Sequence, residues 1–207
     1  MTIGRLHVVT DTRPGRDPIR TVSAALDAGA PVVQVRGKQL TDRDLYELAG
    51  RVAELCKAQG ALCVVNDRPD VALAVGAGGA HVGADDLPVA AARRVLGPRR
   101  VLGATARDVA TARAHEADGA SYLGVGPAYA TATKAGLPDP LGASGVGAIA
   151  GAVQIPVVAV AAVTPARVGE LIAAGAHGVA VISAISDADD PGAATAALLQ
   201  ALEAATT

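Results

Sequence analysis

The chain has 207 residues, 51% of them hydrophobic and 18% charged, with a net charge of −2. That composition excludes a disordered chain and suffices for one substantial core, so one domain is expected over residues 1–207. With no basic run and only three tyrosines to stack on bases, nucleic-acid binding is not expected, and no stretch of about 18 residues is apolar enough for a membrane span.

Short Val-rich runs alternate with Ala-rich amphipathic segments from end to end. The runs are too short and too unbroken for half-exposed antiparallel strands, and they read as buried parallel ones. Strands are predicted at 6–10, 32–36, 62–66, 80–82, 101–104, 122–125, 157–160 and 178–182. Each is followed by a helical pattern, at 19–28, 42–58, 70–75, 89–96, 108–118, 145–152, 165–174 and 193–204. About eight βα units in this length fit an α/β fold, a compact (β/α)8 TIM barrel. Helix ends are punctuated accordingly: in TPARVGELIAAGAHGVAV, Thr164 suits an N-cap, Pro165 the first helical position and Gly175 the exit. A doubly wound nucleotide-binding sheet is disfavoured, because VVTDTRPGRD after the first strand holds no G-x-G-x-x-G. The same N-terminal region has no apolar run of signal-peptide length, so a cytoplasmic protein is expected. Cys56 and Cys63, the only cysteines, read as two reduced, buried thiols.

In such a barrel the chemistry collects at the C-terminal strand ends. The second strand ends VVQVRGK, where alternation sends Gln34, Arg36 and Lys38 to one side; two cations and an amide suit a polyphosphate beside a hydrogen-bonding ring, the alternative being a solvated turn. The third runs into CVVNDRPDVA, whose Asn66 and Asp67 are either ligands or a turn and cap. The fourth leads to HVGADDLP. Carboxylates from adjacent strand ends can share one hard cation, so Asp67 with Asp86 reads as a Mg²⁺ site, with Asp85 the competing candidate. His81 reads as a buried, hydrogen-bonded imidazole rather than a general base. His7, His115 and His177 show no partner in the sequence. The fifth strand offers the Thr105 hydroxyl. After the sixth, GPAYATATKAGLPDPLG (126–142) is longer than barrel closure needs and reads as a loop; Thr131 and Thr133 offer hydroxyls and amides to a phosphate, and Lys134 a charge. The seventh and eighth strands lead to the position where barrels commonly bind phosphate, with Ile182 and Ser183 facing a second anionic pocket.

Taken in order, QVRGK, VVNDRPDVAL, HVGADDLP, GVGPAYATATK and GVAVISAI resemble the motifs of the thiamine-phosphate synthase (thiamin-phosphate pyrophosphorylase) family along essentially the whole chain. The resemblance implies a barrel that joins a pyrimidine diphosphate to a thiazole phosphate with Mg²⁺, releasing thiamine phosphate and pyrophosphate. It implies Gln34, Arg36, Lys38 and Asn66 on the pyrimidine diphosphate, Asp67 and Asp86 on Mg²⁺, and Lys134 on the pyrophosphate. Thr131 and Thr133, with the backbone at Ala162, Ile182 and Ser183, fall to the thiazole phosphate. Arg36, Thr105 and Lys134 are the implied catalytic set, each also touching substrate. The chain departs from the family pattern at Ala161-Ala162, where Gly-Gly is usual, at Ala84 in place of Gln, and at Thr105 in place of Ser; a Cβ at Ala162 is expected to hinder a phosphate approaching the backbone. Two rivals stay open. A thiazole tautomerase-like barrel is not expected to combine the Asn-Asp pair, the second aspartate and Thr-x-Thr-Lys, and a non-catalytic phosphate-ligand-binding barrel has no use for a metal at a leaving group. The Ala-rich helices leave room for a homo-oligomer.

Overall fold

Runs such as LHVV, VVQV and LCVVN lack polar alternation because each strand is covered on both faces. A computed structural model describes residues 3–130 and 139–206. Its strands are β1 (Leu6–Val9), β2 (Val32–Val35), β3 (Leu62–Asn66), β4 (Gly79–Val82), β5 (Val101–Ala106), β6 (Tyr122–Val125), β7 (Val157–Val160) and β8 (Gly178–Val181). All are parallel, each pairs with the next, and β1 pairs with β8, so the sheet closes into a (β/α)8 barrel.

Around it lie α1 (Pro18–Asp27), α2 (Asp42–Gln59), α3 (Pro69–Ala74), α4 (Val89–Leu96), α5 (Val109–Ala117), α6 (Gly142–Ala150), α7 (Pro165–Ala173), α8 (Ser183–Ser186) and α9 (Pro191–Ala204). The side chains of Asp17, Thr41, Asp108 and Asp190 cap α1, α2, α5 and α9 by accepting from first-turn amides. Thr164 stands at the N-cap of α7 as expected, but its side chain makes no capping bond. Helices α3, α6 and α9 start earlier than the apolar periodicity predicts; Pro69 and Pro191 suit a first helical turn, which costs no backbone bond there. The four-residue α8 was not anticipated, since so short a segment cannot display a helical period.

Val32, Leu62, Val64, Val101, Tyr122 and Val158 fill the barrel interior. Outward-facing Val33, Val65, Leu102 and Leu123 pack in the layer that also buries Leu45, Val52, Ile149, Leu171 and Leu198 from the helices. Cys56 on α2 and Cys63 on β3 are buried and free, as the sequence suggests. Among the described residues no helix is long and apolar enough to cross a membrane.

With so few large side chains, strands approach closely at glycines. A Cβ on Gly178 would stand 2.1 Å from the Arg5 carbonyl oxygen, which backbone atoms cannot yield. Gly169, exposed on α7, has nothing within 4 Å. Gly178→Ala should therefore lower the stability measured by urea denaturation by roughly 1–3 kcal/mol. Gly169→Ala should raise it by about 0.5–1 kcal/mol. A tolerated Gly178→Ala would show that the strand starts can separate.

Candidate functional site

Polar residues at the strand ends meet over a cavity of about 250 Å³. From β2 and the turn after it, Gln34, Arg36 and Lys38 all line it, as alternation predicts. The buried Thr10 fixes the backbone between them: the Arg36 amide donates to Thr10 Oγ1 at 2.8 Å, and the Thr10 hydroxyl donates to the Arg36 carbonyl at 3.0 Å.

At the end of β3, Asn66 Nδ2 donates to Asp67 Oδ1 at 2.5 Å, and Lys38 Nζ lies 3.1 Å from Asp67 Oδ2. Asp67 is not the helix cap that the sequence left open. Arg68 occupies the N-cap of α3, while the Asp67 amide donates to the His81 carbonyl at 2.7 Å and its side chain faces the cavity. Asp86 lies against it, accepting the Gly83 amide at 2.7 Å and a hydrogen bond from the Asp67 carboxyl. Asp85, the competing candidate, is exposed. Burial, reinforced by the neighbouring Asp86, pushes Asp67 up to about 6 against the pull of Lys38. Burial opposes ionisation of Asp86 too, yet the bonds from Asp67 and Gly83 hold its pKa below the ordinary value. Below about pH 6 the two carboxyls can therefore share one proton.

Thr105 on β5 lines the cavity, with its Oγ1 3.0 Å from His81 Nε2. His81 Nδ1 is 3.0 Å from Tyr122 Oη, so both imidazole nitrogens are partnered and the ring is not a free base. Burial pushes its pKa down to about 4. His7, held 3.1 Å from the Gly4 carbonyl, is driven by burial to about 3.

Across the cavity lie Ala161, Ala162, Ile182 and Ser183. Arg167 donates to the Ala162 carbonyl at 2.7 Å and stacks over Tyr129, 4.3 Å from the ring centroid. Buried Asp11 accepts from Arg13 Nε at 2.9 Å and from Ser186 Oγ at 3.0 Å, tying the loop after β1 to α8. The sequence suggested two anionic pockets; both residue sets face one cavity, because the strand ends on either side converge on the same rim. Thr131, Thr133 and Lys134 lie outside the described residues. Thr10, Asp11, Tyr122 and Arg167 were missed. Thr10 and Asp11 carried the same signal as the others, polar residues directly after an apolar run, whereas nothing local distinguished Tyr122 or Arg167.

A family model described as thiamine monophosphate synthase matches residues 6–185. The chain belongs to that family. It is accordingly an enzyme, a transferase of thiamine biosynthesis. Two relatives named thiamine-phosphate synthase, from Salinispora arenicola and Salinispora tropica, are 58% and 59% identical to it over 204 residues, covering 97% of this chain and 98% of each relative. A solved thiamine phosphate pyrophosphorylase from Pyrococcus furiosus superposes with a TM-score of 0.90 at 34% identity, covering 98% of this chain and 97% of that one. In this chain, the three described non-glycine residues with left-handed backbone are Asp67 (φ 66°), Ala161 (φ 78°) and Ala162 (φ 51°). All three line the cavity, and each costs on the order of 1 kcal/mol.

Both buried imidazoles bind fewer protons folded than unfolded between their lowered values and 6.5, so stability is lost as pH falls through that window. Asp67 acts in the opposite sense between 3.8 and about 6 and offsets part of the loss. Urea denaturation at pH 7 and pH 5 should show a net fall of roughly 2–3 kcal/mol at the lower pH. Equal stability at both would mean that the rings are charged while buried.

Proposed function

We propose that the barrel joins an aminopyrimidine carrying a methylene diphosphate to a thiazole phosphate, or to the thiazole carboxylate phosphate with the carboxylate leaving as CO₂, giving thiamine phosphate and pyrophosphate. The observation that carries this is the group of Asn66 and Asp67 beside Lys38, all lining the cavity with Gln34 and Arg36, and Asp86 set behind Asp67 against the cavity-lining Gly83. On this reading residues 1–207 act as one catalytic domain in the cytoplasm.

The donor set suits Mg²⁺. Two neighbouring carboxyls whose mutual repulsion raises the pKa of Asp67 offer a hard cation a place to neutralise both. Among the described residues no third His, Cys, Asp or Glu joins them, and one or two carboxylates are what Mg²⁺ usually takes from a protein beside a phosphate substrate. Bound there by Asp67 and Asp86, Mg²⁺ supplies positive charge against the departing diphosphate.

Arg36 and Lys38 hold the diphosphate, Asn66 hydrogen-bonds the same ligand, and Gln34 and Thr105 hold the ring. Lys134 adds charge at the leaving group. Thr131 and Thr133, with the backbone at Ala162, Ile182 and Ser183, take the thiazole phosphate. The methylene–oxygen bond breaks and its electron pair leaves with the diphosphate. Electron density from the ring amino group sustains the cation left behind until the thiazole nitrogen donates its lone pair to form the C–N bond. The protein needs to neutralise the leaving group and align the nucleophile rather than remove a proton. That agrees with a site whose buried histidines are spent on internal hydrogen bonds.

Purified protein supplied with both substrates and Mg²⁺ should form both products, and EDTA should stop the reaction. Asp67→Asn should lower kcat by at least about 100-fold. It should leave the melting temperature no lower, because Asn tolerates the left-handed backbone and removes a like charge from Asp86. Turnover indifferent to EDTA and to this substitution would rule out the carboxylate pair as the metal site. Ala162→Gly should raise stability by about 1 kcal/mol and lower the KM for the thiazole phosphate; an unchanged KM would mean that the Ala162 Cβ does not obstruct the phosphate.

A further inference from the structure

Across the cavity floor runs a line of side chains in which two members have no part in the chemistry above. Tyr122 and His81 are both buried, and their polar atoms meet at 3.0 Å. Beyond His81 stands Thr105, also at 3.0 Å, and on the other side Gln34 lines the same cavity and acts on the Tyr122 hydroxyl. Space is cleared for the central contact. Gly103 lies opposite both His81 and Tyr122 in register, and a Cβ there would stand 2.2 Å from Tyr122 Cζ and 2.4 Å from His81 Nδ1.

A neutral imidazole has one donor and one acceptor, and burial keeps His81 neutral. Its two contacts must therefore run in opposite senses. The most acidic proton in the line is the phenol's, and the best acceptor is an imidazole nitrogen, so Tyr122 O–H donates to Nδ1. Nε2–H then donates to Thr105 Oγ1, which leaves the Thr105 proton for the cavity. Having used its only proton, Tyr122 accepts from the Gln34 amide, which leaves the Gln34 carbonyl for the cavity.

We propose that Tyr122 and His81 are positioning residues that order these protons, so that Thr105 presents a donor and Gln34 an acceptor to a heteroaromatic ring. A 4-aminopyrimidine suits that pair, its amino group donating to Gln34 and a ring nitrogen accepting from Thr105. The corresponding oxo-pyrimidine, with a carbonyl and a ring N–H, sets acceptor against acceptor and donor against donor. This rests on the pyrimidine diphosphate site proposed above and adds how that site tells an amino from an oxo ring.

Nitrogen-15 NMR of histidine-labelled wild-type protein at neutral pH should show His81 protonated at Nε2 and bare at Nδ1; the reverse tautomer would overturn the proposal. Tyr122→Phe keeps the ring and removes the link. It should raise the KM for the pyrimidine diphosphate about tenfold while the KM for the thiazole phosphate stays within about twofold. It should also erase a wild-type preference, about tenfold or more, for the amino over the oxo diphosphate in calorimetric binding. An intact variant with unchanged pyrimidine affinity, or with both KM values raised alike, would count against the relay. Should Tyr122→Phe fold poorly, Thr105→Val must show the same selective loss of pyrimidine binding. Binding of the pyrimidine diphosphate without turnover would count against the synthase reaction alone, leaving the tautomer and affinity tests in force; no binding at all would count against both.

Discussion

The pairing of β1 with β8, which sets Leu6 opposite Val179 and Val8 opposite Val181, brings together two groups of residues far apart in the chain. On one side stand the cations, amides and carboxyl at the ends of β2 and β3. On the other stand the bare backbone segments after β7 and β8. Neither group encloses a ligand alone. Closure depends on interior side chains small enough for eight strands to share one core, and Val, Ala and Gly supply that here. Tyr122 is the large exception, admitted because Gly103 carries no Cβ.

Closure also lets the barrel hold backbone in unfavourable conformations where the cavity needs them. Asp67, Ala161 and Ala162 all have positive φ, and a neighbouring strand or helix holds Asp67 and Ala162. The His81 carbonyl takes the Asp67 amide, and Arg167 takes the Ala162 carbonyl. Strain persists only where surrounding structure over-determines it, and its concentration on the cavity wall accords with a site whose geometry is set before any ligand arrives. The Ala161-Ala162 pair makes the point sharply, since the conformation suited to glycine is retained although neither residue is one.

Much of this was legible beforehand, for identifiable reasons. Parallel strands are buried on both faces, so VVQV and LCVVN stand out as unbroken apolar runs and their boundaries were nearly right. Gln34, Arg36, Lys38, Asn66, Asp67 and Thr105 were readable because strand alternation and the barrel rule send residues after a run to one rim. Helix starts were less legible where a proline precedes the apolar pattern, and α8 was invisible because four residues carry no period. Arg167 sits on a helix as one arginine among many; only its contact with the Ala162 carbonyl gives it meaning.

By itself, then, the sequence determined the barrel, the order of its units and the set of polar residues at its mouth, because these depend on local periodicity and on a fold with one functional face. The tertiary structure set Asp86 rather than Asp85 beside Asp67, since Asp86 turns back to the Gly83 amide while Asp85 is exposed. It also merged two expected pockets into one cavity, and it joined Gln34, Tyr122, His81 and Thr105, which come from four different strands. Such contacts arise from strand register and barrel closure, which pair residues across the chain by distances that no local pattern encodes.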